Sequence, residues 1–446
     1  MFSTIKNAFK IPDLRKRIFF TLFLLIVFRF GAHIPVPRLS SEAMQAFLGG
    51  GGLDLFAMFD VFTGGAFSSA TVMALGVSPY INASIIVQLL AVAIPALERL
   101  SKEGVEGRKK LNKITRYLGI VLAFVQGAGL YVTLHNMGVQ NPGLNPIENE
   151  GVLSFFVIVL TFVAGTAFIM WLGELITEKG LGNGISMIIY AGIISSIPGG
   201  IYTIYKQFLA PGVISVKGII IAAAILVVAI LAITLVVLFN TAERKIPVQY
   251  AKRVVGRKMY GGQSTNIPIK VVMGGVMPII FASSIMAFPA TIVRLVSGGN
   301  LPTTGIWNKV LGCLSAGLSP VWWTYVVYSV LYFLLIIFFT YFYSSIQFNP
   351  IELANNMKKS GGYIPGYRPG KPTSDFISKV STKLNFAGAL FLGVVAVMPI
   401  VVGAIFGIMG LQIGGTSLLI MEGVALETVQ QIESQMVMRH YKCFLG

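Results

Sequence analysis

The segment from Gly52 to Leu90 constrains the fold more than any other part of the chain. It is too apolar for an ordinary loop, yet its first half contains Asp60 and the Gly64-Gly65 pair. Paired glycines lower helix propensity, and Pro79 disfavours a helical conformation at Ser78. Non-helical backbone is tolerated at membrane depth only inside protein or beside a water-filled cavity. We therefore expect a broken, partly buried segment that leads into a membrane-spanning helix, which makes it a candidate pore element.

Composition places the whole chain in a membrane. Of its 446 residues, 55% are hydrophobic and 11% are charged, and the mean hydropathy is +0.79. Apolar runs such as 152–172, 213–239 and 321–342 each reach the length of about 20 residues that a spanning helix needs. The N-terminus resembles a signal peptide, but no small-residue cleavage site follows its apolar run, so we expect a retained first span.

Hydropathy predicts ten spans in an all-α membrane protein. They lie near residues 18–36, 76–96, 117–135, 152–172, 184–204, 213–239, 271–292, 321–342, 384–404 and 414–437. The last span is the weakest, because Glu422, Glu427 and Glu433 interrupt it.

Charge predicts the orientation of these spans. With a cytoplasmic N-terminus, 28 of the 34 lysines and arginines lie on the cytoplasmic side and 5 on the other side. The positive-inside rule then places both termini in the cytoplasm. An odd number of spans in each half would make the second half insert upside down, as in an inverted repeat. We therefore predict two halves, 1–205 and 206–446, within one membrane domain.

Loops 240–270 and 343–383 are long, basic, and rich in proline and glycine. One interpretation is topological charge with contact to anionic lipid headgroups. The other is docking of an RNA-bearing or acidic protein partner, for which the aromatic residues Tyr250, Tyr363 and Tyr367 would be useful. Both interpretations remain open at the level of composition.

Two further segments have a helical spacing of branched aliphatic residues. Val77, Ile81 and Ile85 recur every four residues, as do Ile185 and Ile189. Taken alone, such residues are more often lipid-facing or packed between helices than pore-lining.

The glycine-rich run at 180–184 has no preceding strand and no Lys-Ser/Thr ending, so it predicts a helix start capped by Asn183 rather than a phosphate site.

Catalytic and metal-binding motifs are absent from the sequence. It contains no HExxH, CxxC or GxSxG pattern, which argues against an enzyme and predicts neither a metal nor a cofactor. A secondary transporter of small solutes, with an inverted repeat, is the alternative function. Such a transporter needs ionisable groups near the midplane, and Glu422 is the candidate.

Long motifs spread along the chain match one family. They are GAHIPVP at 31–37, LGVSPYINASIIVQLL at 75–90, EGRKKLNKITRY at 106–117, MWLGELITEKGLGNGIS at 170–186, YAKR at 250–253, FASSIMAFPATI at 281–292, FNPIELANNMKKSGGYIPGYRPGKPT at 348–373 and GGTSLLI at 414–420. In these motifs the chain resembles the SecY family, the channel-forming subunits of the bacterial Sec preprotein translocase.

The resemblance implies a protein-conducting channel of two inverted five-helix halves. Unfolded preproteins would cross the cytoplasmic membrane through it, and hydrophobic segments would enter the bilayer through a lateral gate that Phe288 faces. A short re-entrant plug helix near 58–74 would close the channel at rest, held by weak packing because it must move. The constriction would be a ring of apolar side chains, formed by Val77, Ile81, Ile185, Ile189, Ile280 and Ile420.

The resemblance also implies partners and a location. Arg253, Arg257 and Arg368 would dock the SecA ATPase or the ribosome, and we expect a restricted turn around Arg368. SecE and SecG subunits, signal-bearing preproteins and membrane lipids are the other expected partners. Energy would come from the partner ATPase and the proton-motive force, with no cofactor on this chain. The expected location is the bacterial inner membrane.

Overall fold

Each of the ten predicted spans coincides with a helix in the structure, a computed structural model. The described residues are 2–49, 60, 63–140, 145–147, 151–209, 216–250, 253–255, 258–260, 264–296, 310, 313, 322–406 and 415–442. The helices that overlap the predicted spans are α2 (Pro12–Gly31), α4 (Ser78–Ala93), α6 (Val105–Gln140), α7 (Val152–Lys179), α8 (Gly184–Ile204), α9 (Val216–Thr241), α10 (Met277–Val296), α11 (Trp322–Gln347), α13 (Lys371–Phe406) and α14 (Gly415–Lys442).

The remaining helices are short. They are α1 (Phe2–Lys10), α3 (Ser41–Gly49), α5 (Pro95–Lys102) and α12 (Pro350–Lys359), and a π-helical turn, Tyr205–Leu209, follows α8. Helix α5 is bent by 103° from α4 at Ile94, so the chain turns sharply where this span ends. Pro95 lies in the first turn of α5, where its missing N–H would have no helical partner in any case.

Six of the described helices are long and apolar enough to cross a membrane, or seven if α4 and α5 are counted as one bent span. Helices α2 and α14 contain more charge, which lowers their mean hydropathy. Helices α6 and α13 begin well before the predicted spans, at Val105 and Lys371. Their N-terminal segments are polar and charged, so a hydropathy profile does not register them as part of a span.

The basic loops contain the strands of the structure. Strands β1 (Glu243–Tyr250), β4 (Ser264–Lys270) and β5 (Gly362–Tyr363) form an antiparallel sheet in the order β4-β1-β5. Strands β2 (Arg253–Val255) and β3 (Lys258–Tyr260) form a separate hairpin. Because β5 comes from loop 343–383, the sheet joins two loops that are distant in the sequence.

Contacts divide the chain into two compact units. The first contains Met1–Ile219, Ser284–Tyr328 and Gly403–Gly446, and the second contains Ile220–Ser283 and Ser329–Val402. The main core of the first unit includes Phe67, Leu134, Ile158 and Phe162. The core of the second unit lies under the sheet and includes Ile246, Val248 and Ile377. The predicted inverted repeat of halves 1–205 and 206–446 stays a prediction.

Candidate pore segment and docking loops

The segment before α4 is built from successive turns. Asp60 and Thr63 are helical, whereas residues 64–77 form turns and one isolated β-bridge, so the predicted plug helix does not extend over that range. Gly64, Gly65 and Gly76 have φ values of 67°, 85° and 56°, which favour glycine and interrupt a helix. The neighbours of Asp60 within 50–62 lie outside the described residues.

The prediction that Ser78 would not be helical is wrong. Helix α4 begins at Ser78, and Val77 is its N-cap residue. Pro79 therefore lies in the first helical turn, where its missing N–H breaks no helical hydrogen bond. The proline starts this helix rather than delaying it.

Gly64 is held closely between two spanning helices. The Arg29 guanidinium on α2 donates a hydrogen bond of 2.6 Å to the Gly64 carbonyl oxygen. A Cβ at Gly64 would collide with Ser195 Oγ of α8 and would lie 2.9 Å from the Gly192 carbonyl oxygen. Arg29 lies inside the predicted first span, and its partner is a backbone atom 35 residues away, which no local sequence pattern indicates.

Asp60 is buried and accepts hydrogen bonds from other residues of the same segment. Its carboxylate accepts a hydrogen bond of 2.8 Å from the Ser68 N–H, and its carbonyl accepts one of 2.9 Å from the Gly65 N–H. Asp60 precedes α4 and lies outside the spanning helices. Burial raises its pKa above the ordinary value, against the opposing effect of the Ser68 hydrogen bonds. Asp60 thus closes a compact loop around the glycine pair.

The expectation of weak packing is wrong for residues 66–74. Phe67, Ala70 and Ala74 are buried in the main core of the first unit. The Val36 N–H donates to the Ala70 carbonyl and the Val72 N–H donates to the Ile34 carbonyl, both at 2.9 Å. Small side chains allow this close approach, so their presence indicated tight packing rather than loose packing.

Four of the six predicted ring residues lie at the starts of two helices. Val77 accepts a backbone hydrogen bond of 3.0 Å from the Ile81 N–H at the beginning of α4. Ile185 and Ile189 occupy the first turns of α8, whose N-cap Asn183 accepts from the N–H groups of Ile185 and Ser186, as predicted. Each pair is thus fixed by a helix start.

The other two ring residues lie on α14 and α10. Ile420 is buried on α14, which packs against α8, and Ile280 lies near the start of α10 in the second unit. Val77, Ile189 and Ile420 are each less than a tenth exposed, whereas Ile81, Ile185 and Ile280 are partly buried. Convergence of the six side chains on one constriction stays a prediction.

The two basic loops form one surface. Gln249 pairs with Tyr363 across β1 and β5, and the Tyr363 hydroxyl donates to Gln249 Oε1 at 2.9 Å. Tyr250, Tyr363 and Tyr367 are exposed. Exposed cations lie elsewhere on the same two loops, namely Arg244 and Lys270 at the opposite end of the sheet from Tyr250, and Lys358, Lys359, Arg368 and Lys371 in loop 343–383. This arrangement can bind an anionic surface and stack against planar groups.

Arg368 lies in a restricted turn, as predicted. The Tyr367 N–H donates to the Ile364 carbonyl at 3.0 Å, and Thr373 Oγ1 donates to the Arg368 carbonyl at 2.8 Å. The Tyr367 ring stacks on Phe376 with centroids 4.3 Å apart. The backbone of this turn is therefore fixed while the Arg368 side chain is exposed.

Three other predicted residues can be placed only in part. Arg253 belongs to β2 and Phe288 to α10, but their side chains lie outside the described residues, as does the whole of Arg257. Their roles in docking and in a lateral gate stay predictions. Glu422 is buried on α14. Within the described ranges, no group of three His, Cys, Asp or Glu residues could hold a metal ion.

Comparison with known proteins identifies the family. The family model described as SecY matches residues 71–429, which is most of the chain. This chain belongs to the SecY family. It is 43% identical to the protein translocase subunit SecY of Streptomyces galbus over 451 residues and 46% identical to that of Halalkalibacterium halodurans over 452 residues. Each alignment covers 100% of both chains.

Solved structures support the same fold. A protein-conducting channel matches with a TM-score of 0.65 at 20% identity, covering 94% of this chain and 92% of that one. A SecY structure concerned with the plug domain matches with a TM-score of 0.62 at 22% identity and the same coverage. The SecY-family chain is thus an all-α, multi-pass membrane protein and a protein-conducting translocation channel. The small-solute transporter alternative is not supported.

Proposed function

We propose that this SecY-family chain is the central subunit of a channel that moves unfolded preproteins across the bacterial inner membrane. It also releases hydrophobic segments into the bilayer through a lateral gate. The observation that carries the proposal is the run of turns at 64–77, buried inside protein directly before a spanning helix. Non-helical backbone at membrane depth is tolerated only inside protein or beside a water-filled cavity, and a channel provides both.

The proposed ring suits a channel that must pass many sequences. Its six residues are all aliphatic, and three of them are almost completely buried. Aliphatic side chains provide no site for ions and can close a constriction by excluding water. They also make no specific hydrogen bonds with a translocating chain. A resting seal and broad substrate tolerance follow from the same chemistry.

The exposed antiparallel sheet of β4, β1 and β5, called the basic sheet from here on, is the proposed docking surface for the SecA ATPase or the ribosome. Ribosome-bound channels are among the structural neighbours, including canine Sec61, which matches with a TM-score of 0.61 at 19% identity. SecE and SecG are the proposed companion subunits. The chain itself is not an enzyme and needs no cofactor, because SecA and the proton-motive force supply the energy. Both termini lie in the cytoplasm.

Reconstitution tests this function directly. The chain is inserted into vesicles with SecE and SecG, and a secretory precursor is supplied with SecA and ATP. We expect protease-protected precursor only in vesicles that contain this chain. Correct insertion with no protected precursor would refute the proposal.

Polar substitution tests the ring. Ile420→Asn should increase resting ion conductance and allow transport of precursors with defective signal sequences, because a polar group lets water wet the constriction. Ile85→Asn is the control, since Ile85 is similarly buried, at 4% against 3% exposed, but is not in the ring. Both variants should lose stability. Equal conductance in the two variants would contradict the assignment of Ile420.

A further inference from the structure

The linker between β4 and α10, residues 271–276, lies in direct contact with α11 and α13. A Cβ at Gly274 would lie 3.1 Å from Tyr343 Cδ1 of α11. A Cβ at Gly388 of α13 would lie 2.6 Å from the Val271 carbonyl oxygen. A side chain at Gly388 would therefore displace the linker backbone, and one at Gly274 would require Pro278 or Tyr343 to shift. The position of the linker is set by these two helices.

A buried polar cluster, formed by Met273, Ser344, Ser381 and Asn385, joins the linker to the same helices. The hydroxyls of Ser344 and Ser381 lie 3.6 Å and 3.7 Å from Met273 Sδ. Asn385 Nδ2 donates to Ser344 Oγ at 2.6 Å. The serines and Asn385 are each less than a tenth exposed. Burying polar groups costs free energy unless they are hydrogen-bonded. Asn385 Oδ1 has no hydrogen-bond partner among the described residues, so the bond from Asn385 Nδ2 to Ser344 and the contacts with Met273 Sδ are what favour one alignment of the linker, α11 and α13.

The linker is connected at one end to the basic sheet. Met273 packs against the core of the second unit, to which β1 contributes Ile246 and Val248 and β4 contributes Ile269. The Val271 N–H also donates to the Ala242 carbonyl, which directly precedes β1, at 3.1 Å. A displacement of the sheet therefore acts on the linker through packed side chains and a backbone hydrogen bond.

The other end of the linker holds the proposed ring residue Ile280. The N–H groups of Ile279 and Ile280 donate to the Val276 carbonyl at 3.1 Å and 3.3 Å. Val276 is the last residue of the linker before α10. The position of Ile280 thus follows Val276, and Gly274 and Gly275 connect Val276 to Met273 of the polar cluster.

We propose that the polar cluster formed by Met273, Ser344, Ser381 and Asn385 is a positioning device that couples the basic sheet to Ile280. It holds the start of α10 in its resting alignment, and partner binding to the sheet shifts that alignment. Asn385 acts through Ser344 and Met273, so it is a positioning residue and does not contact substrate. The inference rests on the proposed docking and ring functions.

Asn385→Leu tests the coupling, because leucine fills a similar volume without the hydrogen bond to Ser344. In reconstituted channels we expect resting ion conductance and transport of defective-signal precursors to rise about two- to thirtyfold, the range typical of residues that modulate coupling between sites. The affinity for purified SecA should remain unchanged, because the exposed side chains of the sheet are intact. If Asn385 had only a structural role, the variant would lose thermal stability but would not combine raised conductance with an unchanged affinity for SecA.

Thr340→Val is the matched control. Thr340 lies one turn before Ser344 on α11, is 1% exposed, and its hydroxyl donates only to Ile336 of its own helix, at 2.7 Å. We expect wild-type conductance and signal selectivity from this variant. If Asn385→Leu behaved in the same way as Thr340→Val, the coupling would be refuted.

Met273→Leu keeps the proposal testable if Asn385→Leu does not assemble. Leucine preserves the volume and apolar packing of methionine but removes the sulfur acceptor. We expect a change in conductance and selectivity in the same direction as for Asn385→Leu. No change would overturn the inference. Failure of the wild-type channel to bind SecA would instead refute the proposed docking function, so the two failures are distinguishable.

Discussion

At the scale of single residues, the two adjacent glycines before α4 have different roles. Gly64 and Gly65 both have positive φ, so alanine at either position costs roughly 1–2 kcal/mol in backbone strain. Only at Gly64 would the new methyl group collide with Ser195. At Gly65 the nearest atom, Ser68 Oγ, would be 4.0 Å away. Space, and not conformation, distinguishes these positions.

Gly64→Ala should therefore displace the segment from α8, and Gly65→Ala is its control. We expect an additional cost of about 1–3 kcal/mol for Gly64→Ala, as in other overpacked sites. The resting conductance of reconstituted channels should rise for Gly64→Ala well above its value for Gly65→Ala. Equal conductance in the two variants would show that the close packing of Gly64 against α8 does not help to close the resting channel.

At the scale of elements, helix starts determine where the proposed ring residues lie. The Asn183 side chain caps α8 and is followed within six residues by Ile185 and Ile189. The Asn349 side chain caps α12 through the same pattern, accepting from Ile351 and Glu352, but α12 has no ring residue. The two caps thus share a geometry and differ in what they position.

Asn183→Ala and Asn349→Ala should each lower the free energy of unfolding by about 1 kcal/mol, the usual cost of losing an asparagine cap. Only Asn183→Ala should also raise the passage of defective-signal precursors, because its helix start contains ring residues. Thermal unfolding in detergent and transport in vesicles measure the two effects. A normal signal selectivity in Asn183→Ala would show that the α8 start tolerates fraying.

Some elements of the fold could be predicted from the local sequence, and others could not. Ten helices, the Asn183 cap and the turn at Arg368 follow from local hydropathy and turn chemistry, and all three are present. The pairing of Gln249 with Tyr363 was not predicted, because the two residues are 114 positions apart and no local pattern encodes their register. The burial of Phe67 was also not predicted, since weak packing of this segment was expected from a plug that must move. Local structure can therefore be predicted from the sequence, whereas contacts between distant residues cannot.

At the scale of the whole molecule, the distribution of charge and the sheet together predict on which side of the membrane the two basic loops lie. The sheet joins loops 240–270 and 343–383, so both loops must lie on the same side of the membrane. The positive-inside rule places that side in the cytoplasm. Lys245 and Lys359 are exposed in these loops, and Lys206 follows α8 on the predicted outer side. Single cysteines at these positions can report the orientation.

Accordingly, Lys245→Cys and Lys359→Cys should react with a membrane-impermeant maleimide only in inverted vesicles or after permeabilisation. Lys206→Cys should react in intact cells. Cys313 and Cys443 would first be replaced by serine, so that each variant contains one thiol. Labelling of Lys245→Cys and Lys359→Cys from opposite sides would contradict the sheet. Labelling of both from outside would preserve the sheet and reverse the orientation, because the pairing of strands and the direction of insertion are independent properties.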